Sequence, residues 1–514
     1  MKKPVLAALA ALATTALVAP TVPAAAVDTV DSSKLRAAVT VNGILEHERA
    51  LQAIATQNDG TRASGTKGYD DSVRYVTKKL KKAGFKVKTQ SFEFPLFGEL
   101  APSTLARVTP TAEDLESATF DYSGSGDVTG TVVVAGGTVL PPTEEPSSAS
   151  GCAADDFTQA PSATAVALVQ RGTCDFATKV ANAEDAGYAA VIIFNEGQEG
   201  RTDLLSGVTL GAPVDLPVVG VSFDTGDALA AAAAAGPVTV RVTTSTVSET
   251  RRTKNVIADS PKGKTGTTVV VGAHLDSVLE GPGINDNGSG TSTLLEIGEQ
   301  MKALGYTKKG KLQRQVRLAF WGAEEEGLLG STYYVNSLSP EKLSKIYANL
   351  NFDMLGSPNY VRFVYDGDGS DIPGAGPAGS AGIEKIFTDY FAGQQLATEA
   401  TAFDGRSDYG PFIEAGIPAG GLFSGAEGVK TAEEARTYGG TAGEPYDPCY
   451  HQACDTVNNL NEKALFELGD AAAHATFVLA TSKSGIYSDG SRVAAGRAKQ
   501  PAIKLPYRGS KAVA

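Results

Sequence analysis

Thr267-Thr268-Val269-Val270-Val271-Gly272-Ala273-His274-Leu275-Asp276 passes without a break from an apolar run into a histidine and a carboxylate. A short β-branched run between polar flanks reads as a strand buried on both faces. In open α/β sheets, ligands gather at the carboxyl ends of such strands, which is where His274 stands. A histidine there can bind a metal through one ring nitrogen. Asp276, two residues on in extended chain, lies on the same side and can hold the other ring N–H in the usual supporting role for a metal-binding imidazole.

Working outward, 256–258, 316–321 and 350–354 read as further buried strands, and 289–304 and 463–480 as helices. Strands alternating with helices predict an α/β fold with a central sheet covered on both faces. Upstream, Val73, Val76, Leu80 and Ala83 recur at helical spacing and Gly84 ends that helix. Phe85, Val87, Phe92 and Phe94 then alternate with polar residues, as in a strand. Between about 101 and 247 charge thins out and Gly, Thr, Val and Ala dominate, with short runs at 132–134, 166–169, 191–194 and 238–242. We therefore expect a discontinuous α/β domain, 37–99 and 249–485, interrupted by a β-rich module at 100–248. A basic tail, 486–514, has no acid beyond Asp489.

The chain of 514 residues is long enough for two cores. Its net charge of -13 argues against nucleic acid or an anionic membrane as partner. Lys2 and Lys3, the apolar run 5–18, the breakers Pro20 and Pro23 and the small Ala24-Ala25-Ala26 read as a cleaved export signal, 1–26. The run is shorter than the roughly 20 residues of a membrane span, and Ala-rich 228–237 is shorter still, so no membrane anchor is expected. The four cysteines fall into local pairs, Cys152 with Cys174 and Cys449 with Cys454. An oxidising compartment favours two bridges, although four cysteines admit other pairings, and free buried thiols are the alternative.

Several motifs carry metal chemistry. Gly283-Ile284-Asn285-Asp286-Asn287-Gly288-Ser289-Gly290 is a polar loop opening a helix. Asp286 is either that helix's cap or a carboxylate shared by two metals roughly 3.5–4 Å apart. Asn287-Gly288-Ser289 matches a glycosylation sequon, discounted because a sugar would crowd this loop. Glu324-Glu325-Glu326 follows the 316–321 run. Crowded acids raise one another's pKa unless cations neutralise them, so one binds metal and a neighbour serves as general base, or the three form a solvated helix start. Asp353, flanked by Phe352 and Met354, needs a buried partner, either a metal or an arginine. Cys449 and Cys454 bracket Tyr450 and His451. A bridge there would pin His451 as a ligand and Tyr450 as a hydrogen-bond donor to an oxyanion. Together these provide each of two ions with one histidine, one carboxylate and a share of Asp286, a donor set that suits zinc. His47 and His474 lie on predicted helices and read as structural.

VGAHLDSV, GINDNGSG, WGAEEEGLLGS, LNFDMLGSPN and DPCYHQACDT, in that order, resemble the signature blocks of the co-catalytic zinc aminopeptidases, of the bacterial leucyl aminopeptidase and aminopeptidase Y type. The resemblance implies a zinc-exopeptidase fold with a mixed sheet. It implies His274 and Asp353 on one zinc, Glu325 and His451 on the other, Asp286 between them, Glu324 as general base, Glu326 as bystander and Tyr450 as stabiliser of the tetrahedral intermediate. Gly405-Arg406-Ser407-Asp408-Tyr409 and Gly420-Gly421-Leu422-Phe423 resemble substrate-pocket segments, with Arg406 meeting the substrate and Phe423 lining an apolar pocket. Some relatives bind calcium near the last helix, but Phe466 stands where a carboxylate is needed, so that ion is not expected. Gly151-Cys152, 168–176, 186–188 and 191–195 resemble the protease-associated (PA) domain, a module of exported peptidases linked to substrate access or protein contacts. The expectation is a secreted, extracellular enzyme that removes large apolar residues from peptide or protein N-termini using two zinc ions. The alternatives are a carboxypeptidase on the same fold, which would need cations such as Arg406 to grip a terminal carboxylate, and a catalytically silent binding protein.

Overall fold

A computed structural model describes residues 30–487 and the backbone of 507–508 and 511–512. The expected export signal and most of the basic tail lie outside the described residues. The 267–274 run forms the end of strand Lys264–His274, at the centre of a sheet. Parallel neighbours Arg314–Trp321 and Ile346–Phe352 flank it, pairing Trp321 with His274 and Asn351 with Gly272. Beyond Ile346–Phe352 lie Ala419–Phe423, Phe363–Tyr365 and Glu399–Thr401, and antiparallel Thr239–Asp259 joins the other side, so the sheet is mixed.

Alternation explains the two covered faces. Val269, Val271, Ala273, Val316, Leu318 and Phe320 point into one core, shared with helices Val41–Thr56, Lys67–Lys82, Gly290–Ala303 and Glu462–Thr481. Val270, Ala319 and Trp321 point into the opposite core with Tyr334 and Phe412. Each fully buried valine or phenylalanine contributes about 1.5–3 kcal/mol. The helix predicted through Val73, Val76 and Leu80 is present as Lys67–Lys82, with those three residues buried. Thr66 caps it by accepting from the Tyr69 N–H, and Gly84 leaves it at φ +80°.

The interrupting module is β-rich, but it also carries two helices. Parallel strands Gly126–Val134, Val166–Gln170, Ala190–Phe194 and Val218–Val221 form its sheet. Helix Phe176–Asp185 covers one face and Ala-rich Phe223–Ala235 the other. The physical reason lies in the strands: Val166–Gln170 and Ala190–Phe194 are buried at every position, so both faces need a cover. Two long strands, Lys86–Thr109 and Thr239–Asp259, pair with each other from end to end, and Thr239–Asp259 pairs with Arg314–Trp321 at one end and Gly126–Val134 at the other, so the two parts share one continuous sheet. Both disulfides form in the local pairing, Cys152–Cys174 with Cα atoms 5.9 Å apart and Cys449–Cys454 with Cα atoms 5.3 Å apart. No described helix is long and apolar enough to cross a membrane.

Candidate metal centre

Parallel pairing brings three chain segments to one sheet edge. His274 ends its strand; Glu324 and Glu325 follow Trp321. Asp353 follows Phe352, just past its strand rather than inside it as the sequence suggested. That one-residue step frees the carboxylate from the sheet. Asp286 enters from the loop before helix Gly290–Ala303, and His451 from the loop closed by Cys449–Cys454.

These side chains converge. Nε2 of His274 lies 3.1 Å from Oδ1 of Asp286, 3.2 Å from Oδ1 of Asp353 and 3.8 Å from Oε2 of Glu324. Nε2 of His451 lies 3.3 Å from Oδ2 of Asp286 and 3.1 Å from Oε2 of Glu325. Asp286 therefore offers one oxygen to each imidazole. Three groups with metal-ligand spacing result: His274–Asp286–Asp353 and Asp286–Glu325–His451, which share Asp286, and His274–Glu324–Glu325.

Asp286 does not cap the helix. Asn287 does so, its Oδ1 accepting from the Gly290 N–H at 2.9 Å. The Asn287 amide also donates to the Phe352 carbonyl at 2.9 Å, and its Oδ1 accepts from the Met354 N–H at 3.2 Å. The residue after Asp286 thus clamps the Asp353 turn. Asn287 is buried, which leaves no room for a sugar. The nearest partner of His274 Nδ1 is the Asp276 backbone carbonyl, at 3.2 Å, with the Asp276 carboxylate at 3.7 Å. That carboxylate instead accepts from the Glu324 N–H at 3.4 Å. Ala323, Leu328, Met354 and His451 all have positive φ, 52° to 60°. Non-glycine residues hold that conformation only where their surroundings enforce it, commonly around functional sites.

Electrostatics decides whether the donors fit a metal. Asp276, Asp286, Glu324, Glu325, Asp353 and Asp408 are all buried here. Burial pushes the Glu325 carboxyl up to about 7 and that of Asp408 to about 8, and holds Glu324 well above the usual range. Burial would pull both imidazoles down, but the carboxylates outweigh it. Asp353 and Glu324 hold His274 well above its ordinary value, and Glu325 and Asp286 raise His451 to about 11. Burial would raise Asp286, but hydrogen bonds from the two histidines keep it below the carboxylate range. So much buried negative charge calls for cations. Oε1 of Glu325 is buried without a hydrogen-bond partner, and imidazole with carboxylate suits a zinc-like ion. The residues fit a pair of divalent metals.

A pocket opens beside the triads. Phe423, Tyr365, Arg406 and Tyr450 line it together with His274, Asp286 and Glu324. Phe423 stacks on Phe363 at 5.9 Å. Tyr450 stacks on the His451 ring at 3.8 Å, and its hydroxyl accepts from Arg406 at 3.3 Å. Arg406 is also paired with Glu427 at 2.6 Å. Glu326 points away and accepts from Tyr122 of the interrupting module at 3.4 Å. His47 bonds Tyr75 and His474 bonds Ser32, each at 2.7 Å, as structural histidines.

Sequence reasoning missed the supports. Asp455, inside the DPCYHQACDT block, accepts from the backbone N–H groups of Asn285 and Asp286. Arg62 is fully buried and donates to the carbonyls of Leu275, Pro282 and Gly283, bracing the loop between His274 and Asp286. Ser64 accepts from the Ala323 N–H at 2.7 Å. Ser407 donates to Asp353. The Asp455 signal was present as a carboxylate beside a cysteine; a lone arginine between helices gives none.

Comparison with known proteins finds relatives along most of the chain. Residues 255–476 match the sequence profile of Peptidase family M28, and residues 128–229 that of the PA domain. An aminopeptidase of Pseudomonas aeruginosa is 44% identical over 472 residues, 89% of this chain and 84% of its own. Leucine aminopeptidase 2 of Trichophyton rubrum is 36% identical over 458 residues, 89% of this chain and 87% of its own. The solved structure of BSAP, a zinc aminopeptidase from Bacillus subtilis, superposes with a TM-score of 0.55 at 25% identity, covering 88% of this chain and 99% of that one. With 44% identity to an aminopeptidase over most of its length, its match to the Peptidase family M28 profile and its interrupting PA domain, this chain belongs to peptidase family M28.

Proposed function

We propose that the protein is a secreted aminopeptidase that binds two zinc ions and removes large apolar residues from peptide N-termini. The observation that carries this reading is the pair of imidazoles set on opposite oxygens of Asp286, at 3.1 and 3.3 Å. His274 and Asp353 would hold one ion, and His451 and Glu325 the other. A divalent pair supplies Lewis acidity at the attacked carbonyl and a more acidic water, chemistry that aminopeptidases share with other two-metal hydrolases.

The chain's own residues do the rest. Glu324 reaches His274 Nε2 at 3.8 Å and has no ligand role in either shared triad. As a carboxylate beside the ions it would take a proton from the attacking water and hand it to the leaving amine. Tyr450, held by Arg406, has its hydroxyl hydrogen available for the developing oxyanion. The Phe423 and Tyr365 side of the pocket would take the first side chain, in keeping with the leucine aminopeptidase name of the fungal relative. Arg406 is neutralised by Glu427, which weighs against a grip on a terminal carboxylate. The two disulfides support an oxidising, extracellular location.

The test is zinc content by mass spectrometry together with hydrolysis of leucine 4-nitroanilide and of its N-acetylated form. Two zincs per chain and cleavage of only the free amine are expected. Absence of zinc, or equal cleavage of the blocked substrate, refutes the reading.

A further inference from the structure

The candidate centre has a second opening. A cleft of about 270 Å³ reaches it away from Phe423, sharing Glu325 with the first pocket. Asp276, Glu325 and His451 form its floor, while Glu99 and Asp121 contribute a wall on the side of the PA domain. Glu280 and Glu326 lie on its remaining edge, and among the described residues no lysine or arginine lines it. Glu99 and Glu280 are exposed at the rim. Oδ2 of Asp276 and Oε1 of Glu325 are buried without a hydrogen-bond partner, and both residues face this space. The Tyr122 hydroxyl, donating to Glu326 at 3.4 Å, ties the PA side of the cleft to the loop that carries Glu324 and Glu325.

We propose that this cleft binds the substrate segment beyond the scissile bond and selects peptides with lysine or arginine as second residue. The proposal rests on the aminopeptidase reading. With the first side chain in the Phe423 pocket, the rest of the peptide has to leave by the other opening. Acidic walls of low dielectric focus negative potential in such a space. A cationic second side chain would lay its stem along Leu279 and Phe97, which also line the cleft, and carry its charge to Glu99 and Glu280. A glutamate there would meet like charge and be rejected.

The experiment measures kcat/KM for Leu-Lys-Gly-Gly and Leu-Glu-Gly-Gly with the zinc-loaded full-length protein. The lysine peptide is expected to be favoured about tenfold at low ionic strength, with the ratio shrinking in high salt. The ratio should fall toward unity in Glu99→Gln/Glu280→Gln and invert in Glu280→Lys. Equal ratios in the unaltered protein and the variants, or a preference for glutamate, overturn the subsite. Leucine 4-nitroanilide has no second residue. Cleavage of it without any lysine preference sinks the cleft proposal alone, whereas failure to cleave it sinks the aminopeptidase reading beneath.

Discussion

Asp455 holds Asp286 by its backbone: the carboxylate accepts from the Asp286 N–H at 3.0 Å and from the neighbouring Asn285 N–H at 2.8 Å. The side chain of Asp286 is thereby left to its two imidazoles. Asp455→Ala should free this loop and lower zinc affinity about 10- to 100-fold. Excess zinc should restore turnover. Zinc titration followed by rate measurement checks this, and an unchanged affinity would remove the positioning role.

Glu324→Ala should keep zinc content and lose about 10²–10⁴-fold in kcat, the range of general acid–base catalysis. Mass spectrometry and steady-state kinetics on one preparation separate this outcome from a loss of metal. Near-normal turnover would reject Glu324 as the base.

Asp286→Ala should weaken both ions together, since each imidazole faces one of its oxygens. Competition with a chromophoric chelator reads the two sites. Loss of a single ion would argue against a shared carboxylate.

Zinc removal should change the pH dependence of stability. In the metal-free protein, burial raises the Glu325 carboxyl to about 7 and Asp408 to about 8, and nearby carboxylates hold His451 at about 11. All three keep protons in the folded state over a range where the unfolded chain has released them. The folded form then binds more protons, so stability falls as pH rises from about 4 toward 8. Zinc replaces those protons. Its stabilising effect, read as the shift in Tm on zinc addition, should therefore grow from about pH 5 to about pH 8. A constant or shrinking shift would contradict the assigned buried charges.

Arg62→Leu should be strongly destabilising. It removes donors from three buried carbonyls. A buried carbonyl left without its donor costs about 1–3 kcal/mol. Arg62→Lys should recover only part of the loss, because one ammonium cannot reach all three acceptors. Denaturant unfolding of the two variants measures both effects.

Much of this architecture was legible in the chain. The Val-rich run before His274 disclosed a strand buried on both faces, and the histidine at its end marked the sheet edge where ligands meet. Asp286, Glu325, Asp353 and His451 were readable because carboxylates and imidazoles next to apolar runs are costly without cations. Other features depend on contacts distant in sequence. Arg62 acts through carbonyls more than 200 residues away, and backbone acceptors leave no mark in a sequence. Asn287 was not read as the helix cap, because only the loop's path decides which side chain reaches the Gly290 N–H. The Phe223–Ala235 helix of the PA domain was hidden because a poly-alanine stretch has almost no amphipathic pattern to display.

The paired strands Lys86–Thr109 and Thr239–Asp259 join the two halves of one continuous sheet. A module joined in this way has no free hinge. For it to swing as a lid, a ribbon of cross-strand hydrogen bonds would have to bend, and the only breaks in its register fall at Glu99 to Thr104 and near Thr109. Any widening of the mouth for longer or bulkier peptides would therefore be taken up at those breaks, beside the junction of the two parts, and not along the rest of the ribbon.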